Sequence, residues 1–166
     1  MNASRNLEPS HYCLVPNNMF LSIDTTSNEY LAVGLGMKKI KEIVVVNESY
    51  KQSELLLSTI SSFLKKEKTS LSKIKGIIVA SGPGGFSAVR IGVATANAFA
   101  YVNNVPAVSI ILKKSWEKLL PEKKMIKIFN EGVRALKNKK SFKLNEMAKP
   151  YYDKEPSIRL KTNSKF

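Results

Sequence analysis

The feature that most limits what this chain can fold into is a change of hydrophobic period between Asn47 and Ser53. Before it, three strand-length segments follow one another closely: MFLSIDTT (19–26), EYLAVGLG (29–36) and IKEIVVVN (40–47). Only Ser27 and Asn28 separate the first two, and spacing this tight makes hairpins, so the three strands should be antiparallel. After it, SELLLSTISSFLKK (53–66) sets Leu56, Leu57, Ile60, Phe63 and Leu64 at helical spacing, with Ser53 as the expected N-cap. GIIVA (76–80) is a fourth strand, a second helix spans about Ala88 to Tyr101, and VPAVSI (105–110) is a fifth strand. The expected order is β-β-β-α-β-α-β, an α/β chain without internal repeats.

The pattern weakens from Leu112. SWEKLLPEKKMIKIFNEGVRALKNKK reads as one or two helices, broken or started at Pro121 and loosened at Gly132, with Met125, Ile128, Phe129, Val133 and Leu136 as a rough apolar face. The last stretch is polar and should form no independent core. Residues 1–18 are polar, hold two prolines and show no period, so they are expected to be a disordered leader, with Met19 as an alternative start. The organisation expected is therefore leader (1–18), α/β lobe (19–111) and basic helical segment with tail (112–166).

Composition narrows the function classes. With 43% apolar and 24% charged residues in 166, a soluble globular protein is expected. No apolar run reaches the roughly 18 residues of a bilayer span. No apolar signal segment opens the chain, so a cytoplasmic location is expected. One cysteine, Cys13, excludes an internal disulfide framework, and one histidine with one cysteine leaves no metal cluster. The formal net charge is +14, and residues 113–166 hold 16 Lys/Arg against 6 Asp/Glu. Such a basic segment suits a polyanion, RNA above all. The competing explanation is a solvated surface, because the lysines are scattered and no aromatic-rich binding motif goes with them.

SGPGGFSAVRIG (81–92) looks like a phosphate loop, a glycine turn between a strand and a helix. The P-loop pattern fails, since no Gly-Lys follows Gly82 at the required spacing and no lysine lies in the turn. The dinucleotide pattern fails at its third position, which is Ser87, and three antiparallel strands precede it. Free N–H groups at the helix start would suit an anion, although the glycines could serve the turn's geometry alone. The helix itself says more. Gly92, Ala96 and Ala100 recur every four residues as a smooth stripe, while Ile91, Val93, Ala94 and Phe99 make the helix apolar almost all round. A helix of that kind is buried on more than one side, and in a small domain the second side points to a partner. Leu55, Leu56 and Leu57 say the same of the first helix. Arg90 lies early in the helix, unfavourably for the dipole, which suggests a nearby carboxylate or simple solvation.

LSIDTTSNEYLAVGL, QSELLLSTI and IIVASGPGGFSAVRIGVATANAFAY resemble, in order and spacing, the TsaB (YeaZ) family over about residues 19–111, and KPYYDKEP (149–156) resembles that family's closing segment. The resemblance implies one actin/Hsp70-like (ribonuclease H-like) lobe. It implies a non-catalytic subunit of the bacterial tRNA threonylcarbamoyladenosine machinery, which pairs with a homologous catalytic subunit, TsaD, and works with the TsaE ATPase. The tRNA would be met indirectly or weakly, a homodimer could form when the chain is alone, and no membrane is involved. The expected interface residues are Leu56, Ile60, Phe63, Arg90, Gly92, Val93, Ala96 and Phe99, with Ala96→Arg expected to abolish pairing in a folded chain. Gln52 replaces the family's histidine, Gly85 a serine and Ala88 a glycine; family members are also longer, the difference falling after Ile111, where a second lobe would begin. With one lobe nearly absent, Asp24, Thr25, Thr26, Gly84 and Gly85 would form vestigial phosphate turns, and no cofactor is expected. The rival expectations are an RNA-binding accessory protein using residues 113–166, and a decayed product that folds poorly, or folds only in an obligate assembly. A peptidase or ATPase finds no support, since His11 and Cys13 sit in the leader with no third group assigned to them.

Overall fold

The computed structural model describes residues 18–138 and 147–153. His11, Cys13, Pro156 and all of the expected leader but Asn18 lie outside the described residues. Five strands form one mixed sheet in the order β3-β2-β1-β4-β5: β1 (Met19–Asp24), β2 (Leu31–Gly36), β3 (Ile40–Val46), β4 (Ile74–Gly82) and β5 (Ala107–Ile111). Three helices accompany them: α1 (Gln52–Lys66), α2 (Phe86–Asn103) and α3 (Pro121–Asn138). The expected element order is observed up to β5. β1 and β2 pair antiparallel, as do β2 and β3. β4 pairs parallel with both β1 and β5.

Period 2 in the strands decides which face each helix covers. Leu21, Ile23, Ile77 and Val79 share one cluster with Leu56, Ile60 and Phe63 of α1 and with Val89, Val93 and Ala96 of α2. Phe20, Ile78, Ala80, Val108 and Ile110 share a second cluster with Ile128, Phe129, Val133 and Leu136 of α3. The sheet is thus sandwiched, which is why central β4 is an almost unbroken apolar run. Phe129 is completely buried, and a side chain of that size contributes about 1.5–3 kcal/mol by leaving water.

Several local expectations are corrected. Ser53 is not the cap of α1: the helix starts at Gln52, the cap position is Lys51, and no side chain caps it. Gln52 is buried instead and donates from Nε2 to the Ser27 carbonyl at 2.7 Å, tying α1 to the β1–β2 turn. Pro121 starts α3, where its missing N–H and fixed φ cost nothing. Gly132 does not loosen that helix; the helix runs through it because a Cβ there would collide with Ile78, so glycine lets α3 lie close on β4.

The segment 147–153 is docked rather than apart. Ala148 is buried against the first cluster. Asn97 brackets it, donating to the Ala148 carbonyl at 2.9 Å and accepting from the Ala148 N–H at 2.8 Å. Tyr151 N–H donates to the Ser81 carbonyl at 2.7 Å.

Candidate functional site

Two surfaces merit attention: the helix faces turned away from the sheet, and a cleft at the ends of β1 and β4.

The small-residue stripe of α2 is turned inward. Gly92, Ala96 and Ala100 are buried, and a Cβ on Gly92 would collide with Thr25 Oγ1, which donates to the Ala88 carbonyl at 2.6 Å. Smoothness here serves the close approach of α2 to the first strand's end. Of the eight expected interface residues, Leu56, Ile60, Phe63, Gly92, Val93 and Ala96 are buried within the chain itself, and Phe99 is half-buried. Their placement at a partner surface is corrected for that reason: they already have neighbours. Arg90 is exposed and meets no carboxylate among the described residues. Its guanidinium lies 4.0 Å from the Phe86 ring centroid, and Nε donates to the Tyr152 hydroxyl at 3.0 Å.

The outward face of α2 is nevertheless apolar and small. Ala94, Ala98, Tyr101 and Val102 are exposed, the last by 76%, and Leu57 on α1 is exposed by 57%. One turn separates Ala94 from Ala98 and Ala98 from Val102. Sequence periodicity cannot choose between two apolar faces of one helix, so the inward stripe stood in for the outward one.

The cleft measures about 1010 Å³ and is lined by Thr26, Tyr30, Asn47, Gly84, Trp116 and Lys124, among others. Asp24 ends β1 on the same side of the strand as Phe20 and Ser22, facing α3. Its Oδ1 accepts from the Thr26 N–H at 2.9 Å and from the Thr26 hydroxyl at 2.6 Å. Its Oδ2 accepts no hydrogen bond among the described residues and faces the Lys124 ammonium as an ion pair at 3.0 Å. That ammonium also donates to Tyr30 Oη at 2.8 Å and to Thr26 Oγ1 at 3.2 Å. Lys124 is the one charged residue on the inward face of α3 and is 6% exposed. Burial pushes its pKa down, but Asp24 and the Tyr30 hydroxyl outweigh that and hold it above its ordinary value. Tyr30 is raised as well, by burial first and then by the Asp24 charge.

The two turns expected to be phosphate loops grip each other. Gly85 N–H donates to the Thr26 carbonyl at 3.0 Å, and Gly84 leaves no room for a Cβ against the Thr26 backbone. A divalent cation on Asp24 would need a carboxylate oxygen at about 2.0–2.6 Å. Oδ1 is committed to Thr26 and Oδ2 faces an ammonium, so these residues do not fit a metal-carried nucleotide. Among the described residues no group of three or more His, Cys, Asp or Glu could hold a metal. No described helix is long and apolar enough to cross a membrane.

Comparison with known proteins follows the fold. The family model for tRNA N6-adenosine threonylcarbamoyltransferase, TsaD, matches residues 27–111. A curated protein of that description from Geotalea daltonii is 39% identical over 62 residues, which are 37% of this chain and 18% of that one. The solved structure of YeaZ from Pseudomonas aeruginosa superposes with a TM-score of 0.53 at 22% identity, covering 57% of this chain and 44% of that one. A second Pseudomonas aeruginosa structure, described as similar to peptidase YeaZ, gives a TM-score of 0.53 at 22% identity over 57% of this chain and 43% of its own. The lobe expected from the resemblance is thus the fold observed, and the chain spans less than half the length of these relatives.

Proposed function

Because the chain belongs to the TsaD family of tRNA N6-adenosine threonylcarbamoyltransferases, we propose that it serves tRNA threonylcarbamoyladenosine synthesis as a non-catalytic subunit paired with a homologous catalytic subunit. The observation that carries this reading is the outward face of α2. Its inner side is filled by the sheet, yet Ala94, Ala98, Tyr101 and Val102 are exposed on the outer side, and Leu57 of α1 is exposed as well. Small residues one turn apart let a second helix approach closely. The same face would serve a homodimer when the chain is alone. No nucleotide is assigned to this chain, in keeping with the committed oxygens of Asp24.

Co-purification with the cognate catalytic subunit tests the proposal. Ala98→Arg and Leu57→Glu should abolish capture while thermal unfolding stays cooperative and near the wild-type midpoint. Capture that survives both changes overturns it.

A second reading rests on a separate observation. Lys123, Lys127, Arg134 and Lys137 are exposed along one side of α3, at spacings of four, seven and three residues. This line of cations suits an RNA backbone. Affinity for tRNA that falls steeply with salt, and falls further when the four are neutralised, supports it; salt-independent affinity removes it.

A further inference from the structure

The Asp24 cluster buries an ion pair that the proposed subunit role does not require. A lysine ammonium has three donors and no acceptor. Here the ammonium donates to Tyr30 Oη at 2.8 Å and Thr26 Oγ1 at 3.2 Å, and it faces Asp24 Oδ2, which accepts no hydrogen bond among the described residues, as an ion pair at 3.0 Å. The oxygens around the ammonium belong to this chain's own Asp24, Tyr30 and Thr26. The side chains of Lys124 and Asp24 are 8% and 1% exposed. Two such charges leave water at a cost of several kcal/mol each, which their mutual attraction offsets only while both are present.

The placement is also specific. Lys124 reaches Asp24 from the first turn of α3, a helix that follows all five strands in the chain. Its position four residues before Ile128 and one before Met125 puts it on the inward face, where every other residue is apolar or glycine. A lysine on that face, within reach of the only acid at the end of β1, is a fixed cation delivered to one carboxylate. A divalent ion would need the same oxygen and the same space, and it would face the repulsion of the ammonium.

We propose that Lys124 is this chain's built-in cation at Asp24: it takes the place a divalent metal would occupy, closes the cleft to metal-carried nucleotides, and on removal uncovers a weak divalent-cation site at Asp24 Oδ2. The proposal concerns the cleft and stands whether or not the outer face of α2 binds a partner.

The test is paramagnetic broadening of backbone amide resonances of the full chain by Mn²⁺, with and without ATP. Wild type should show no selective broadening at Asp24, Thr25 and Thr26. Lys124→Ala should show selective broadening at those three positions and a rise in thermal midpoint with added Mn²⁺. Lys124→Met combined with Asp24→Asn, which removes both charges with little change in volume, should fold and show neither effect. Selective broadening of the wild type overturns the proposal, as does a folded Lys124→Ala that shows none. Should Lys124→Ala not fold alone, refolding in millimolar Mn²⁺ gives the same decision: recovery supports the proposal, and failure to recover overturns it.

Discussion

Arg90 donates from Nε to the Tyr152 hydroxyl, 3.0 Å away and 62 residues later in the chain. The same guanidinium covers the Phe86 ring, and Phe86 and Tyr152 lie 4.9 Å apart between ring centroids. A cation in the first turns of a helix works against the helix dipole. Here the aromatic pair offsets that cost and fastens the segment 147–153 to α2.

Arg90→Ala should therefore lower stability by about 1 kcal/mol, the sum of a partly exposed cation–π contact and one hydrogen bond. Tyr152→Phe should cost less, since the ring contacts remain. Chemical denaturation of both variants checks the order.

Ala96→Arg and Ala98→Arg should differ in kind. Ala96 is fully buried, so the charge has no partner and no space, and cooperative unfolding should be lost. Ala98 is exposed, so the fold should survive and only association with the catalytic subunit should fail. Circular dichroism melts beside pull-downs separate the two.

Lys124→Met and Asp24→Asn should each destabilise strongly, by about 3–5 kcal/mol, because each leaves a buried group without its partner. The double variant should recover most of that loss. A double-mutant cycle in denaturant measures the coupling.

Stability should hold through neutral pH and fall on the alkaline side. Lys124 has a raised pKa, so its contribution is full below the unfolded lysine value and is lost as pH rises through the folded one. Tyr30 acts in the same direction: its raised pKa keeps the folded phenol protonated while the unfolded one ionises above about pH 10. Thermal midpoints from pH 7 to 11 should trace this decline, and Lys124→Met/Asp24→Asn should flatten it.

If α3 meets RNA, replacing Lys123, Lys127, Arg134 and Lys137 by glutamine should reduce the slope of log affinity against log salt by about 3–4. Filter binding of tRNA at several salt concentrations reads the slope directly.

Most of the fold was legible because its periods are clean. Strands of period 2 gave way to a helix at α1, and the glycine turn marked the start of α2. What escaped was orientation. α2 is apolar on both sides, so Gly92 and Ala96 looked as much like a contact surface as Ala94 and Ala98 do, and only the position of Thr25 decides between them. Lys124 escaped for the opposite reason. It stands on the same helical face as Met125, Ile128 and Phe129, a visible signal, but a lysine at a buried position has meaning only once a distant carboxylate is known to lie opposite. The tail, polar in composition, gave no sign that Asn97 would bracket Ala148, since side-chain-to-backbone pairs carry no period.

The sheet ends on one side in β3, whose outer edge has no neighbouring strand among the described residues. Ile43, Val44, Val45 and Val46 are only half-buried there, and the charges that could repel a stranger, Lys41 and Glu42, sit at the strand's start, with Lys41 already held by Glu67. Unpaired N–H and C=O groups beside four β-branched residues are a template for cross-molecule growth. This rim is thus where two molecules can meet edge to edge at high concentration, and a lysine at Val45 would break that template.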